Sequence, residues 1–226
     1  MVAGTAGAPT DATLYEIGSL SKTLAGTLMA NAVLEDRVGL EDDVRTYLQG
    51  DYPNLQYQGQ PIRVRHLLSH TSGLPNMLPE RANTVLEDFT DHRTPGELNA
   101  LYAHYGKTDF LRDLHAVQIP RMPGKEYAYS SAGTELAAHV LEVAYKTDYA
   151  SLLRGFFSDS AAMTGLRIRL DDAEAPRIGY FWNIVAGDRQ KGVFYAHHGG
   201  VPRSQCYIYI MPEHDLGIFV ITNQSG

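Results

Sequence analysis

Ser19 and Lys22 stand three residues apart, at the start of a segment whose apolar residues follow helical spacing. Residues three apart share one face of a helix, so the hydroxyl and the amine would be neighbours. A serine becomes a good nucleophile when a base takes its proton, and a lysine becomes such a base when burial lowers its pKa. The spacing therefore indicates covalent catalysis, although it also suits a helix-capping serine beside a solvated lysine.

Two more distant places carry side chains that could take part in chemistry. Tyr129 lies in a turn just before a helical pattern that opens at Ser131. The run 197–200 reads His-His-Gly-Gly and lies between two β-prone runs, at the predicted end of a strand. A phenol can share a proton with a lysine, and glycines on a strand edge allow close approach of a substrate carbonyl.

In this order, the three places resemble the boxes of the serine β-lactamase and penicillin-binding protein superfamily. The closest resemblance is to its class C β-lactamase-like branch, which includes family VIII carboxylesterases and D-peptidases. That branch carries a Ser-x-x-Lys box, a Tyr-x-Asn box and a Lys-Thr-Gly or His-x-Gly box. Two further stretches, 64–75 and 215–223, resemble a loop and the closing strand of the family.

The resemblance, which runs from about Tyr15 to Asn223, implies a role for each matched residue. It makes Ser19 the nucleophile, Lys22 its proton partner and Tyr129 the general base. Because the last two would share one proton, they should titrate as a unit. The expected oxyanion hole consists of the backbone N–H groups of Ser19 and Gly200.

The substrate is expected to contact four further matched positions, which are Ser131, His197, Gly199 and Gly200. Ser131 stands where the family usually has asparagine, so a hydroxyl replaces an amide. His197 stands where β-lactamases and D-Ala-D-Ala peptidases usually have lysine, whose fixed charge helps to bind a carboxylate. A histidine near pH 7 is mostly neutral, which favours substrates without that carboxylate unless Arg203 supplies the charge.

Composition excludes several other classes of protein. The chain has 226 residues, is 44% hydrophobic and carries a net charge of −7, which is typical of a globular protein and argues against a nucleic-acid partner. Cys206 is the single cysteine, so the sequence allows no internal disulfide and no cysteine-based metal centre. We expect no cofactor. The expected partner is a small-molecule ester, amide or lactam.

Segments that would direct the chain to a membrane or out of the cell are not evident in the sequence. The first residues lack the basic start and apolar run of a signal peptide, and no apolar stretch reaches about 18 residues. We therefore expect no membrane span. The compartment is left open between the cytoplasm and, for a longer precursor, the periplasm.

Two patterns that suit other sites are weaker. His66 and His70 have the i, i+4 spacing of metal ligands, but no acidic residue occupies the position expected in a zincin helix. The run 106–108 (Gly-Lys-Thr) ends like a phosphate loop, yet Leu101 occupies the place of the first glycine. Neither a metal site nor a nucleotide site is predicted.

Periodicity predicts a chain that is helical first and β-rich later. Apolar residues follow helical spacing at about 19–36, 64–69, 95–104, 109–117 and 131–145. The spacing in the first of these ranges predicts an amphipathic helix that packs against the core. A loop is predicted at 53–61, and an antiparallel meander is predicted from β-prone runs at 178–186, 192–196, 206–211 and 217–222.

The expected fold class is α/β of the α+β type, with an antiparallel sheet flanked by helices and a mostly helical lobe. We predict a single β-lactamase-like domain over 1–226, with a helical lobe at about 40–160 and a sheet lobe from about 1–39 plus 175–226. The resemblance implies a domain shortened at both ends relative to the family. Open sheet edges would then favour a homo-oligomer.

The sequence thus leads to the hypothesis of a serine hydrolase that works through an acyl-enzyme on Ser19. An esterase or D-peptidase is the first reading. A β-lactamase or penicillin-binding protein is an alternative, and a member of the same family that binds ligand with impaired catalysis is another.

Overall fold

The computed structural model describes residues 17–88, 91, 93–161, 183–186, 193–201 and 204–222. In these ranges the α-helices are α1 (Ser21–Leu34), α2 (Val64–Leu68), α3 (Arg81–Val85), α4 (Thr94–Tyr102), α5 (Lys107–Ala116), α6 (Ser131–Tyr145) and α7 (Tyr149–Ala161). One-turn 3₁₀ helices lie at Gly18–Leu20, Val44–Tyr47 and Pro212–His214. The strands are β1 (Gln56–Tyr57), β2 (Gln60–Pro61), β3 (Asn183–Ala186), β4 (Val193–Val201), β5 (Ser204–Met211) and β6 (Leu216–Thr222).

The helical part surrounds one cluster of buried apolar side chains. Large members of this cluster in α1, α2, α5, α6 and α7 are Leu28, Met29, Leu67, Phe110, Leu114, Leu136, Leu141 and Leu153. Burying each such side chain contributes about 1.5–3 kcal/mol. In the described part of the chain, no helix has the length and apolar character required to cross a membrane.

The five predicted helices are present, with ends shifted by a few residues. α6 runs over the range predicted for it, and its cap is Ser130, whose side chain accepts a hydrogen bond from Gly133 N at 2.8 Å. The helix stops at Lys146, which takes a left-handed conformation with φ +54°.

The prediction that the first helix is amphipathic is wrong in one respect. α1 is core-packed, with Leu28 and Met29 buried and contacts to α6 and α7. Its exposed side, however, carries Thr27, Ala30 and Leu34, of which Leu34 is 83% exposed. The polar residues of its first turn, Ser21, Lys22 and Thr23, are buried, so the helix does not turn one continuous polar face to solvent.

Two helices and one hairpin were not predicted. α3 and α7 lie in stretches without a helical prediction, and the predicted loop at 53–61 contains the short hairpin β1–β2. In α7 the apolar residues Tyr149, Leu153 and Phe157 are buried at four-residue spacing, which is the signal that could have found it.

The predicted antiparallel meander is confirmed, with strand order β3-β4-β5-β6. Residues 178–182 and 187–192 of the predicted runs and turns lie outside the described residues. β4 is longer than predicted, because it continues through His197–Gly200 to Val201 instead of ending before the glycines. Its register pairs His197 with Ile208 and Gly199 with Cys206. The division into two lobes stays a prediction.

Candidate active site

Ser19 lies in the 3₁₀ turn Gly18–Leu20, immediately before α1 and in contact with the sheet. Gly18 has φ +49°, and a Cβ at this position would lie 2.8 Å from the carbonyl oxygen of Gly200. The position therefore requires glycine both for its left-handed backbone and for the close approach of β4. This arrangement fixes the serine against the strand that carries the histidines and glycines.

Gly199 allows the second close approach between the turn and β4. A Cβ on Gly199 would lie 2.1 Å from Ile17 O and 2.9 Å from Leu20 N. Behind it, Cys206 Sγ donates to Ile17 O at 3.2 Å. A Cβ on Gly200 would meet no heavy atom within 4 Å. Packing against the turn thus requires glycine at 199, whereas position 200 is open.

Tyr129 meets Ser19 although 110 residues separate the two in sequence. The phenol oxygen and Ser19 Oγ lie 2.7 Å apart, within hydrogen-bond distance, and both side chains are half-buried. The structure therefore brings together two boxes that lie far apart in the sequence. At this distance a proton can pass between the two oxygens.

Lys22 is buried in the first turn of α1, and its side chain reaches Ser131. Its Nζ donates to Ser131 Oγ at 3.3 Å and lies 5.3 Å from the centroid of the Tyr129 ring. Burial lowers the pKa of Lys22 from 10.5 to about 8, against the opposing charge of Glu135. The amine is therefore joined to the Ser19–Tyr129 pair by a hydroxyl, a contact that the sequence did not reveal.

The two candidate bases have pKa values that move apart. Burial raises the pKa of Tyr129, while its hydrogen bonds with Ser19 and Ser131 oppose this shift. The phenol is therefore protonated at neutral pH, while Lys22, with a pKa of about 8, is mostly charged and has a neutral fraction on the order of a tenth at pH 7. This order favours Lys22 as the final acceptor of a proton that passes through Tyr129.

His197 is 5% exposed and lies inside β4. Burial first, then the neighbouring His198 and Lys22, lower the pKa of His197 to about 4. The imidazole is therefore neutral at pH 7, in agreement with the sequence-based argument that it supplies no fixed positive charge. Arg203, the other candidate for that charge, lies outside the described residues.

His70 is the buried residue near the site that sequence reasoning missed. α2 ends at Leu68, so His70 is not on a helix face with His66, and its φ of +54° directs the chain towards Tyr129. The ring centroids of His70 and Tyr129 lie 4.4 Å apart. Among the described residues, no group of three or more possible metal ligands is found.

A cavity of about 680 Å³ adjoins Tyr129. Residues 73–80 line one side and residues 113–121 another. Its polar lining consists of Asn76, Glu80, Asp113, Gln118 and Arg121. A cavity of this size with a few polar groups matches the usual dimensions of a small-molecule site.

The fold and this site define a class of protein, and comparison with known proteins identifies the family. The chain matches the family model described as Beta-lactamase over residues 2–180. It therefore belongs to the beta-lactamase family, whose members are serine hydrolases.

Curated relatives are distant and longer. Protein flp of Staphylococcus aureus (strain MRSA252) is 24% identical over 170 residues, which are 74% of this chain and 31% of that protein. Penicillin-binding protein 4* of Bacillus subtilis (strain 168) is 26% identical over 172 residues, which are 74% of this chain and 33% of that protein. The chain spans about a third of the length of these relatives.

Solved structures confirm the predicted fold class. A beta-lactamase/D-alanine carboxypeptidase from Yersinia pestis has a TM-score of 0.73 at 19% identity, covering 98% of this chain and 81% of that one. A D-stereospecific amidohydrolase from Streptomyces sp. has a TM-score of 0.69 at 17% identity, covering 92% and 82%. The fold is that of the β-lactamase and transpeptidase class.

Proposed function

We propose that this chain hydrolyses esters or D-amino-acid peptides and amides through an acyl-enzyme on Ser19. The observation that carries the proposal is the 2.7 Å contact between Ser19 Oγ and the Tyr129 phenol, with the buried amine of Lys22 one hydroxyl away. A serine in such a setting can lose its proton as it attacks a carbonyl carbon.

The geometry supports a definite route for the proton. As Ser19 Oγ bonds to the carbonyl carbon, its proton passes to Tyr129, and Tyr129 releases its own proton through Ser131 to the neutral amine of Lys22. The carbonyl π electrons move to oxygen, where the N–H groups of Ser19 and Gly200 are the proposed donors. Collapse expels the leaving group with the proton held by Lys22, and water then hydrolyses the acyl-enzyme by the reverse route.

The substrate class rests on His197. A neutral, buried imidazole replaces a fixed positive charge on β4, so a substrate carboxylate would gain little there. The names of the structural neighbours, a D-alanine carboxypeptidase and a D-stereospecific amidohydrolase, are consistent with D-amino-acid substrates. Esters and D-peptides or amides without that carboxylate requirement are therefore the first candidates.

Lactam chemistry is the second candidate. It is favoured by the match to the Beta-lactamase family model and by the similarity to penicillin-binding protein 4*. A lactam would use the same nucleophile and oxyanion hole, but a carboxylate-bearing lactam would bind poorly next to a neutral His197.

Turnover of three chromogenic substrates distinguishes these candidates. A p-nitrophenyl butyrate ester, D-alanine p-nitroanilide and a chromogenic cephalosporin would be assayed with the unaltered protein, with Ser19→Ala and with the surface control Ser69→Ala. We expect turnover of the ester or the D-anilide above that of the cephalosporin, lost in Ser19→Ala and retained in Ser69→Ala. Turnover led by the cephalosporin would replace the first candidate with the second, and turnover of none would favour a binding protein.

A further inference from the structure

The segment that carries Tyr129 is held on both sides by one residue, His70. The carbonyl oxygen of His70 accepts from Ala128 N at 2.8 Å, and its Nδ1 accepts from Ser130 N at 3.0 Å. These donors are the residues immediately before and after Tyr129. His70 therefore holds the backbone of Tyr129 in position.

The hydrogen bonds of His70 are part of a longer set of hydrogen bonds between segments 70–76 and 124–131. Gly124 N donates to Thr71 O at 2.8 Å, and Ser131 N donates to Asn76 O at 2.8 Å. Segment 70–76 thus satisfies backbone donors along segment 124–131, in place of regular secondary structure. Within this set, His70 accepts the hydrogen bonds from both residues that flank Tyr129.

The ring of His70 also packs on the ring of Tyr129. The centroids lie 4.4 Å apart at an interplanar angle of 38°, and His70 is 3% exposed. An aromatic contact at this distance restricts the rotation of both rings. The phenol is thereby held by its backbone and by its face, while its oxygen remains at Ser19.

We infer that His70 is a positioning residue that holds the Tyr129 phenol at Ser19 through its Nδ1 acceptor, its carbonyl and its ring. The inference rests on the proposed function, since it assigns a purpose to the Ser19–Tyr129 contact. Loss of this acceptor would leave Ser130 N unsatisfied in a buried setting and release Tyr129 from the nucleophile. Displacement of a catalytic group by about 1 Å can cost on the order of 100-fold in rate.

The protonation state of His70 fits this role. Because Nδ1 accepts an N–H, the neutral ring carries its proton on Nε2, as assigned from the hydrogen bond. Burial first, then the charge of Lys22 and the nearby His197, lower the pKa of His70 to about 4. The acceptor is therefore available throughout the neutral pH range.

Paired substitutions at position 70 test the acceptor separately from the backbone conformation. Asparagine and glycine both adopt a φ near +54° readily and both remove the ring, but asparagine alone offers an acceptor near the place of Nδ1. His70→Phe keeps an aromatic ring and removes the acceptor. The matched control is His66→Phe, which removes a second buried Nδ1, one that accepts from Arg63 N at 3.1 Å and not from the Tyr129 segment.

The readout is the acylation rate constant with p-nitrophenyl butyrate, measured by stopped flow below the Tm of every variant, together with the substrate Kd. We expect His70→Asn to keep the acylation rate within about five-fold, and His70→Gly and His70→Phe to lose on the order of 100-fold with Kd nearly unchanged. His66→Phe should lower the Tm without a comparable loss of rate.

Two results would overturn the inference. One is an unaltered acylation rate in His70→Gly and His70→Phe. The other is an equal loss in His70→Asn and His70→Gly, which would show that the acceptor is irrelevant. Ser19→Ala separates this inference from the proposed function. If Ser19→Ala is still acylated, the proposed function fails. If Ser19→Ala is inert and His70→Gly is acylated at an unaltered rate, only the positioning role of His70 fails.

Discussion

The amine of Lys22 is removed from water at the junction between the helices and the sheet. The residue is 6% exposed, and its hydrogen bond to Ser131 is 3.3 Å long. Such a position is unfavourable for a charged ammonium group and useful for a base. The same burial that gives Lys22 its pKa of about 8 must therefore lower the stability of the fold at neutral pH.

Replacement of this amine by an apolar side chain should stabilise the protein and abolish catalysis. The lowering of the pKa from 10.5 to about 8 corresponds to roughly 3 kcal/mol at pH 7, where the group is charged in both the folded and the unfolded state. We expect Lys22→Met to raise the free energy of unfolding by up to about that amount. Urea denaturation of both proteins at pH 7 measures it.

The pH dependence provides a check on the cause. Between pH 8 and pH 10.5 the unfolded chain binds more protons at Lys22 than the folded chain does, so the stability of the unaltered protein rises relative to Lys22→Met. The difference between the two proteins should shrink at pH 9.5. A variant that is less stable than the unaltered protein at pH 7, or a difference independent of pH, would contradict the assignment.

At the scale of elements, the site depends on the backbone contact between the 3₁₀ turn and β4. A Cβ at Gly199 would lie 2.1 Å from Ile17 O, so the strand or the turn must move to accept a side chain. A Cβ at Gly200 would enter open space. These neighbouring glycines therefore form a natural pair for substitution.

We expect Gly199→Ala to lower the free energy of unfolding by about 1–3 kcal/mol, the usual cost of overpacking, and Gly200→Ala to leave it nearly unchanged. Thermal denaturation followed by circular dichroism compares the two variants directly. Equal stability of both variants would mean that the turn and the strand are not in backbone contact.

Hydrophobic periodicity in the sequence predicted helices and strands well, but it predicted the contacts between them poorly. α6 could be placed from its apolar spacing because such spacing is a local property. α7 was missed although Tyr149, Leu153 and Phe157 are spaced for a helix, since Gly155 and several polar residues weaken its local preference.

The candidate site was predicted as a set of residues but not as a network. The boxes identified Ser19, Tyr129 and Lys22, yet the bond from Lys22 to Ser131 depends on how α1 packs beside α6. The contact of His70 with the Tyr129 segment depends on where α2 ends, and the i, i+4 spacing with His66 pointed instead to a helix face. Long-range contacts of this kind are not encoded in local spacing.

At the scale of the whole molecule, β6 leaves apolar side chains in contact with solvent. Leu216, Ile218, Phe219 and Val220 are 42–52% exposed, on both faces of the strand. In the described part of the chain, β6 pairs with β5 and has no strand on its other side. An apolar edge strand of this kind promotes association between chains.

We therefore expect the protein to self-associate as its concentration rises, and Ile218→Lys combined with Phe219→Lys to weaken that association. Sedimentation velocity over a range of concentrations measures it for both proteins. A concentration-independent monomer before substitution would refute this expectation.

The account depends most on an activated oxygen at Ser19, and covalent labelling tests that oxygen directly. The protein would be treated with a fluorophosphonate at pH 6 and at pH 9, and the adduct located by peptide mass spectrometry. We predict one adduct, on Ser19, formed faster at pH 9 because the pKa of the assisting Lys22 is about 8. An adduct on another residue, or labelling that persists in Ser19→Ala, would contradict the account.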